Sequence, residues 1–173
     1  MIRPADPADA PAIAALQNRA IRETDITFTT EEVAEADIAA RIAQRLPAFL
    51  VAETGTGIAG FATYGPFRSG PGYAFVREHT IHVAPAAWGR GIGRALMQEL
   101  ERVALADGVD ILIGGVSATN RDGLAFHTRI GFTETGRLPA VGQKFGRRLD
   151  LVLLQKFLRP AGPDGPDSLP GTG

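Results

Sequence analysis

The sequence predicts an α+β fold, with one mixed, mostly antiparallel sheet flanked by about four helices. Three observations predict it. Apolar residues recur at helical spacing up to Pro47 and give way to strand-like runs beyond it. The elements then read in the order β-α-α-β-β-β-α-β-α-β-β. In mid-chain a glycine-rich turn joins a strand directly to an amphipathic helix.

Asp6-Pro7 opens the first helix, since Asp caps and Pro tolerates the first helical position. Ile13, Leu16, Ala20 and Ile21 share one face of it. A second helix is expected after Thr30, with Glu31 and Glu32 at the positive end of its dipole. Its apolar stripe is Val33, Ile38, Ile42 and Leu46, and Pro47 ends it. Residues 48–53 and 58–64 read as strands of a hairpin turning at Gly55-Thr56-Gly57. A Gly/Pro loop over 65–72 carries Phe67 and Arg68, and the next strand covers 77–83. The third helix covers 91–107, with Ile92, Leu96, Leu100 and Val103 facing inward. A short apolar run over 111–116 is a buried strand. Asn120 then precedes a helix over 121–130 that Gly131 ends. Two last strands, near 133–138 and 149–157, flank Gly142-Gln143-Lys144-Phe145-Gly146. The Pro/Gly/Asp-rich tail is expected to be disordered, which gives one domain over 1–158 and a tail over 159–173.

A chain of 173 residues suits a single domain with a sizeable core. The formal net charge of -1 offers no general attraction to nucleic acid or to an anionic membrane. With no cysteine, disulfides, thiolate metal sites and a Cys nucleophile are excluded. No segment has the apolar length of a signal peptide or a membrane span, so a cytoplasmic protein is expected.

The most informative stretch is Val83-Ala84-Pro85-Ala86-Ala87-Trp88-Gly89-Arg90-Gly91-Ile92-Gly93-Arg94. Glycines let the main chain approach a ligand, and the first N–H groups of the helix are unpaired and partly positive. Arg90 and Arg94 add formal charge. Such a turn is a pyrophosphate cradle. It is no P-loop, because Gly-Lys followed by Ser or Thr is absent. Nor does it sit at the first strand of a dinucleotide-binding unit, although Asp110 lies near the distance at which such a unit carries its acidic residue.

Trp88-Gly89-Arg90-Gly91-Ile92-Gly93 resembles the acyl-CoA motif of the GNAT N-acyltransferase superfamily, Arg/Gln-x-x-Gly-x-Gly/Ala, with Trp88 at the first position instead of Arg or Gln. Asn120 to Phe132, ending in Gly131-Phe132, is similar to that family's second CoA-side motif. Gly65-Pro66-Phe67-Arg68, Arg77 to Val83 and Val141 to Asp150 resemble its phosphinothricin/methionine sulfoximine acetyltransferase branch. The likeness covers residues 2–158. It implies a GNAT-type fold and transfer of an acetyl group from acetyl-CoA to the amine of a small amino-acid-like substrate. It also implies cofactor contacts at Ile81, His82, Val83, Gly89, Arg90, Gly91, Ile92, Gly93, Arg94 and Asn120.

Acetylating an amine requires a neutral nucleophile, and an α-amine is largely protonated at neutral pH. Glu78 is the candidate base. On an extended strand it shares a face with Thr80 and His82, while Arg77, His79, Ile81 and Val83 share the other. A bulge, common in the family at this point, would change that phase. Backbone N–H groups near Ile81 could stabilise a developing oxyanion. His127 stands where many GNAT enzymes carry a Tyr that protonates the departing thiolate, so the resemblance makes it the candidate acid. On the substrate side Arg68 suits a bidentate anion contact, with Phe67 and Tyr73 as walls. Family matching adds Ser69, Arg77 and His79, and Gly70 departs from relatives with a basic or aromatic residue there.

His79 and His82 point to opposite faces and no carboxylate cluster completes a site, so no metal is expected. Lys144, Arg147 and Arg148 form the one dense basic cluster, which reads as solvated surface or, by the family's dimeric habit, as part of a homodimer contact. A non-catalytic acyl-CoA-binding module, suggested by Trp88, and a protein or peptide N-acetyltransferase stay open as alternatives.

Overall fold

The computed structural model describes residues 1–159, so the tail expected over 159–173 lies outside the described residues except for Arg159. The chain begins with β1 (Ile2–Pro4), α1 (Ala10–Glu23) and α2 (Glu35–Arg45). Then come β2 (Phe49–Thr54), β3 (Gly57–Pro66), β4 (Val76–Val83) and α3 (Ile92–Ala106). β5 (Ile111–Ser117), α4 (Arg121–Arg129), β6 (Thr133–Lys144) and β7 (Arg147–Phe157) complete it. The seven strands form one sheet in the order β1-β2-β3-β4-β5-β7-β6, antiparallel throughout except for the β4–β5 pair.

Strand alternation divides the core between the two faces of the sheet. Leu50, Ala52, Ala62 and Tyr64 point to one face and pack with Leu96, Met97, Leu100 and Val103 of α3. Phe49, Val51 and Phe61 point to the other, against Ile13 of α1 and Ile38 and Ile42 of α2. The predicted stripes of α1 and α3 face this core, and of the α2 stripe Ile38 and Ile42 do.

Three boundaries differ from expectation by more than two residues. Asp6 and Asp9 form a reciprocal capping box, but around a single 3-10 turn (Pro7–Asp9), and α1 follows it. α2 starts at Glu35, not after Thr30, because the preceding segment is tied to α1: the Asn18 side chain bonds both the N–H and the C=O of Val33, and Arg22 pairs with Glu32. Val33 and Leu46 thus fall outside the helix, and Leu46 is exposed. β6 runs on to Lys144, with Phe145-Gly146 as a two-residue turn of positive φ at both positions, the geometry that fits the twist of a tight hairpin.

Leu100 is fully buried between α3 and the sheet. Leu100→Ala is expected to lower unfolding stability by about 2–5 kcal/mol, read from urea melts at constant m-value.

Candidate functional site

The site begins where the sheet comes apart. β4 follows β3 without a register shift from Pro66↔Arg77 to Gly60↔Val83, so the strand phase expected for Glu78 stands without a bulge. Its pairing with β5 covers only Val76↔Ile111, Arg77↔Leu112 and Glu78↔Ile113. β4 continues to Val83 and β5 to Ser117, but past Glu78 they are no longer partners. The edge of β4 around Ile81 therefore has no strand partner on the β5 side, which leaves peptide groups free to meet a ligand.

Two cavities meet in this gap. The smaller, about 220 Å³, is bounded by Glu78 to His82 on β4, Gly114 to Ser117 on β5, the α1–α2 loop at Ile26, Thr27 and Phe28, and His127. The larger is a groove of about 940 Å³ running over Ile81, His82 and Val83 to Trp88, Gly89 and Gly91 to Arg94, with α1 and α4 as its walls. That volume is of the size that holds a drug- or cofactor-sized ligand. Ile26, Ile81, His82, Asn120 and His127 belong to both cavities, so the two communicate.

The head of the groove is the start of α3. Gly91 is the N-cap, with φ 78°, a left-handed conformation that an L side chain adopts only at a cost. The first bond into the helix is Ala95 N–H to Gly91 O, so the amides of Ile92, Gly93 and Arg94 precede any intrahelical acceptor. They line the groove together with Gly89. Arg90 is exposed and does not line it. Trp88 is accounted for by its own contact: its indole N–H donates to Val83 O at 2.9 Å and straps the turn to the end of β4. At the far wall Asn120 caps α4 through its side-chain oxygen, which accepts from Gly123 N–H at 2.9 Å.

Glu78 and His79 use successive glycines of β5. A Cβ on Gly115 would lie 3.2 Å from Glu78 Oε1, and one on Gly114 would lie 2.8 Å from His79 Cε1. Glu78 is exposed as a residue, yet burial of its carboxyl end raises its pKa above the usual carboxylate range. His82 stacks on Phe61 and is held down to about 4 by burial, a neutral ring at physiological pH.

His79 is buried and faces the α4 side. Its Nδ1 lies 2.9 Å from Ile113 O, and its Nε2 lies 2.9 Å from His127 Nε2. His127 Nδ1 lies 2.7 Å from Gly123 O. A carbonyl oxygen only accepts, so each Nδ1 carries a hydrogen. Two neutral rings would then oppose bare lone pairs at Nε2, or else turn a lone pair toward a carbonyl. A buried mismatch of that kind costs about 1–3 kcal/mol. Burial works against charge on both rings. It depresses His79 to about 3, with the charge of His127 as the second cause, so the pair does not hold two extra protons.

The expected substrate residues divide. Glu78 and His79 line the smaller cavity, but Phe67, Arg68, Ser69, Tyr73 and Arg77 line neither. Phe67 meets Tyr73 edge-on at 6.3 Å, and Arg68 lies over the Phe67 ring at 5.4 Å. These form a separate exposed cluster on the β3–β4 connection. Arg77 donates to Ala74 O and Val76 O and so braces the start of β4.

In the basic cluster Arg147 and Arg148 are exposed, as expected of solvated surface, and Lys144 is the exception. Lys144 is 3% exposed and donates to Thr27 O at 2.9 Å, and burial lowers its pKa. Arg147 pairs with Asp25 at 2.7 Å, while Arg148 reaches Ala140 O. The β6–β7 hairpin thus grips the α1–α2 loop that walls the smaller cavity. Neither that loop nor Gly114-Gly115 is singled out by motif reading, although paired glycines inside an apolar strand are a signal of close approach. Among the described residues no group of His, Cys, Asp and Glu could hold a metal ion, and no helix is long and apolar enough to cross a membrane.

A sheet opened between two parallel strands, with a cofactor-sized groove headed by a helix N-terminus and the Glu78 carboxyl in the adjoining cavity, is an arrangement suited to an acyl-CoA-dependent transferase. Residues 13–132 match the acetyltransferase (GNAT) family. The chain belongs to that family and is an N-acetyltransferase by class. It is 35% identical to the L-methionine sulfoximine/L-methionine sulfone acetyltransferase of Salmonella typhimurium, over 94% of this chain and 98% of the relative. A GNAT phosphinothricin acetyltransferase from Sinorhizobium meliloti, solved with acetyl-CoA, superposes at a TM-score of 0.88 with 29% identity, covering 100% of this chain and 94% of that one. The ribosomal-protein-alanine N-acetyltransferase structure from Brucella melitensis superposes at 0.85 with 40% identity, covering 91% of this chain and 99% of its own.

Gly91→Ala is expected to cost about 1–2 kcal/mol of stability, from the left-handed conformation at that position. It should also weaken CoA binding by calorimetry about tenfold, as the turn shifts its amides. Wild-type affinity in this variant would remove the turn from the binding site.

Proposed function

We propose that the chain acetylates the free amine of a small amino acid of the phosphinothricin, methionine sulfoximine or methionine sulfone type, by direct transfer from acetyl-CoA in a ternary complex. The observation that carries this reading is the junction at the β4–β5 gap, where a raised carboxyl meets a groove headed by free helix amides.

Ile92, Gly93 and Arg94 amides would hold the diphosphate, with Gly89, Asn120 and the edge of Ile81, His82 and Val83 along the rest of the groove. The thioester supplies an activated acetyl group, and the chain supplies position and proton transfer. Glu78 takes a proton from the ammonium, which leaves a neutral amine in the small cavity. Free peptide N–H near Ile81 stabilises charge on the carbonyl oxygen. His127, in contact with both cavities, is the acid side of the site. Arg68, over the Phe67 ring and ion-paired to no carboxylate among the described residues, is the candidate substrate-carboxylate contact, although it lines neither cavity.

A cavity of about 220 Å³ favours a free amino acid over a folded protein N-terminus. The 40% likeness to a ribosomal-protein-alanine acetyltransferase is the one observation favouring a peptide substrate. Both substrate classes belong in the assay. We assign the protein to the cytoplasm, without a nucleic-acid or membrane partner, as a homodimer. Support for the dimer is the outermost strand β6, which exposes Leu138 and Val141, with Phe145 at the turn. Sedimentation equilibrium should give twice the chain mass, and a monomer at micromolar concentration would reject the assembly.

CoA release is expected with amino-acid sulfones, sulfoximines or phosphinates, and not with peptides beginning in alanine. The reverse pattern would assign the peptide reading, and no release with any amine would reject transfer altogether. Glu78→Gln should lower kcat by about 10²–10⁴-fold. Because the base must be ionised and its pKa is raised, wild-type kcat/KM should climb with pH through a point above the ordinary carboxylate range. The variant should lose that limb; near-wild-type turnover would remove Glu78 from the role.

A further inference from the structure

We propose that His79 and His127 hold one shared proton between their Nε2 atoms and act as a single acid, with His79 the positioning residue that keeps this proton in place. The proposal rests on the transferase reading for its use in turnover, but the shared proton itself does not.

The argument starts from three contacts. Ile113 O fixes a hydrogen on His79 Nδ1, and Gly123 O fixes one on His127 Nδ1. Both Nε2 atoms are then acceptors, only 2.9 Å apart. One added proton converts two opposed lone pairs into one charge-assisted hydrogen bond. Every ring nitrogen then has a correct partner. Without His79, His127 would be a neutral ring with its only N–H committed to Gly123 O. Such a ring accepts a proton and has none to give. His79 turns it into a donor.

No charged group faces the pair, and burial resists charge on both rings, so at most one added proton is admitted. Phe132 packs against both rings, at 5.1 and 5.3 Å between centroids, and Phe126 meets His127 at 5.2 Å. From β5 and α4 the groups that face the rings are the carbonyls of Ile113 and Gly123. The nearest carboxylate on β4 is Glu78, whose side chain crosses β5 on the other face, over Gly115. On β7, Lys156 lies 5.8 Å from the Phe132 ring and is bound to Glu101. His82 is on the Phe61 face. No ion pair among the described residues engages either ring.

In turnover the carbon–sulfur bond breaks and its electron pair stays on sulfur. The shared proton moves from Nε2 to that sulfur, giving a thiol and two neutral Nδ1–H rings. Their opposed lone pairs then recover a proton from solvent. Atoms and charge balance without another reactant.

The chain has three histidines, so the pair is directly observable. Nitrogen-15-labelled histidine in the full chain, without substrate, should show at pH 7 both Nδ1 atoms of the pair protonated and one proton between the Nε2 atoms. His82 gives the neutral reference in the same spectrum. A pair with one bare Nδ1 at pH 7 would overturn the proposal whatever the enzyme acetylates. His79→Gln keeps a donor for Ile113 O and should return His127 to a neutral ring with a bare Nε2. In kinetics this variant should lower kcat about tenfold or more, leave the KM for acetyl-CoA within about twofold, and displace the alkaline limb of the kcat profile. An unchanged kcat and limb would refute the acid role, even with the proton in place.

Discussion

The parting of β4 from β5 after three residue pairs is the constraint from which the rest of the site follows. A continuous parallel ladder would satisfy the peptide groups around Ile81 and close the space between Glu78 and Gly115. Instead, both strands are anchored elsewhere. β4 stays registered with β3 to its last residue, while β5 pairs along its whole length with β7. Each strand follows a different neighbour, and sheet twist carries them apart. The gap is stable because its strands are held from outside it.

A gap between strands needs a floor and walls. α3 packs under the β2–β4 side and carries the amide-rich turn to the mouth of the groove. The opposite wall is the α1–α2 loop, which has little secondary structure and lines both cavities through Ile26. Lys144 to Thr27 O and Arg147 to Asp25 tie it to the β6–β7 hairpin from more than a hundred residues away. Burying a lysine is unfavourable unless its charge is hydrogen-bonded, and here a single carbonyl and the face of Phe145 receive it. Lys144 and Arg147 of the hairpin thus hold the loop that walls the pocket.

Much of this was legible from the chain. Alternation and helical spacing place Leu96, Leu100, Ile38 and Ile42 in the core, and the strand–turn–helix unit at Val83 to Arg94 locates the groove. Local physics decides those features, which is why reading residues in order finds them. The start of α2 was not legible, because Asn18 captures Val33 across a loop and prevents the helix from beginning where its acidic residues would allow. Lys144 reads as solvated for the same reason, since only the tertiary fold brings Thr27 to it. The His79–His127 contact joins residues 48 apart on a strand and a helix, and no motif spacing encodes it. Trp88 reads as a defect in the glycine motif until its indole is seen to bond Val83 O.

Glu78, the proposed base, and His79, the proposed partner of the acid His127, are successive residues of one strand. A base that must accept a proton and an acid that must give one would neutralise each other if they touched. Strand alternation puts them on opposite faces, and Gly115 and Gly114 give each side chain room to cross β5 on its own side. The backbone of β5 thereby lies between the two side chains, although both line one cavity. Two glycines in a row are needed for this, because a side chain at either position would displace one of the pair.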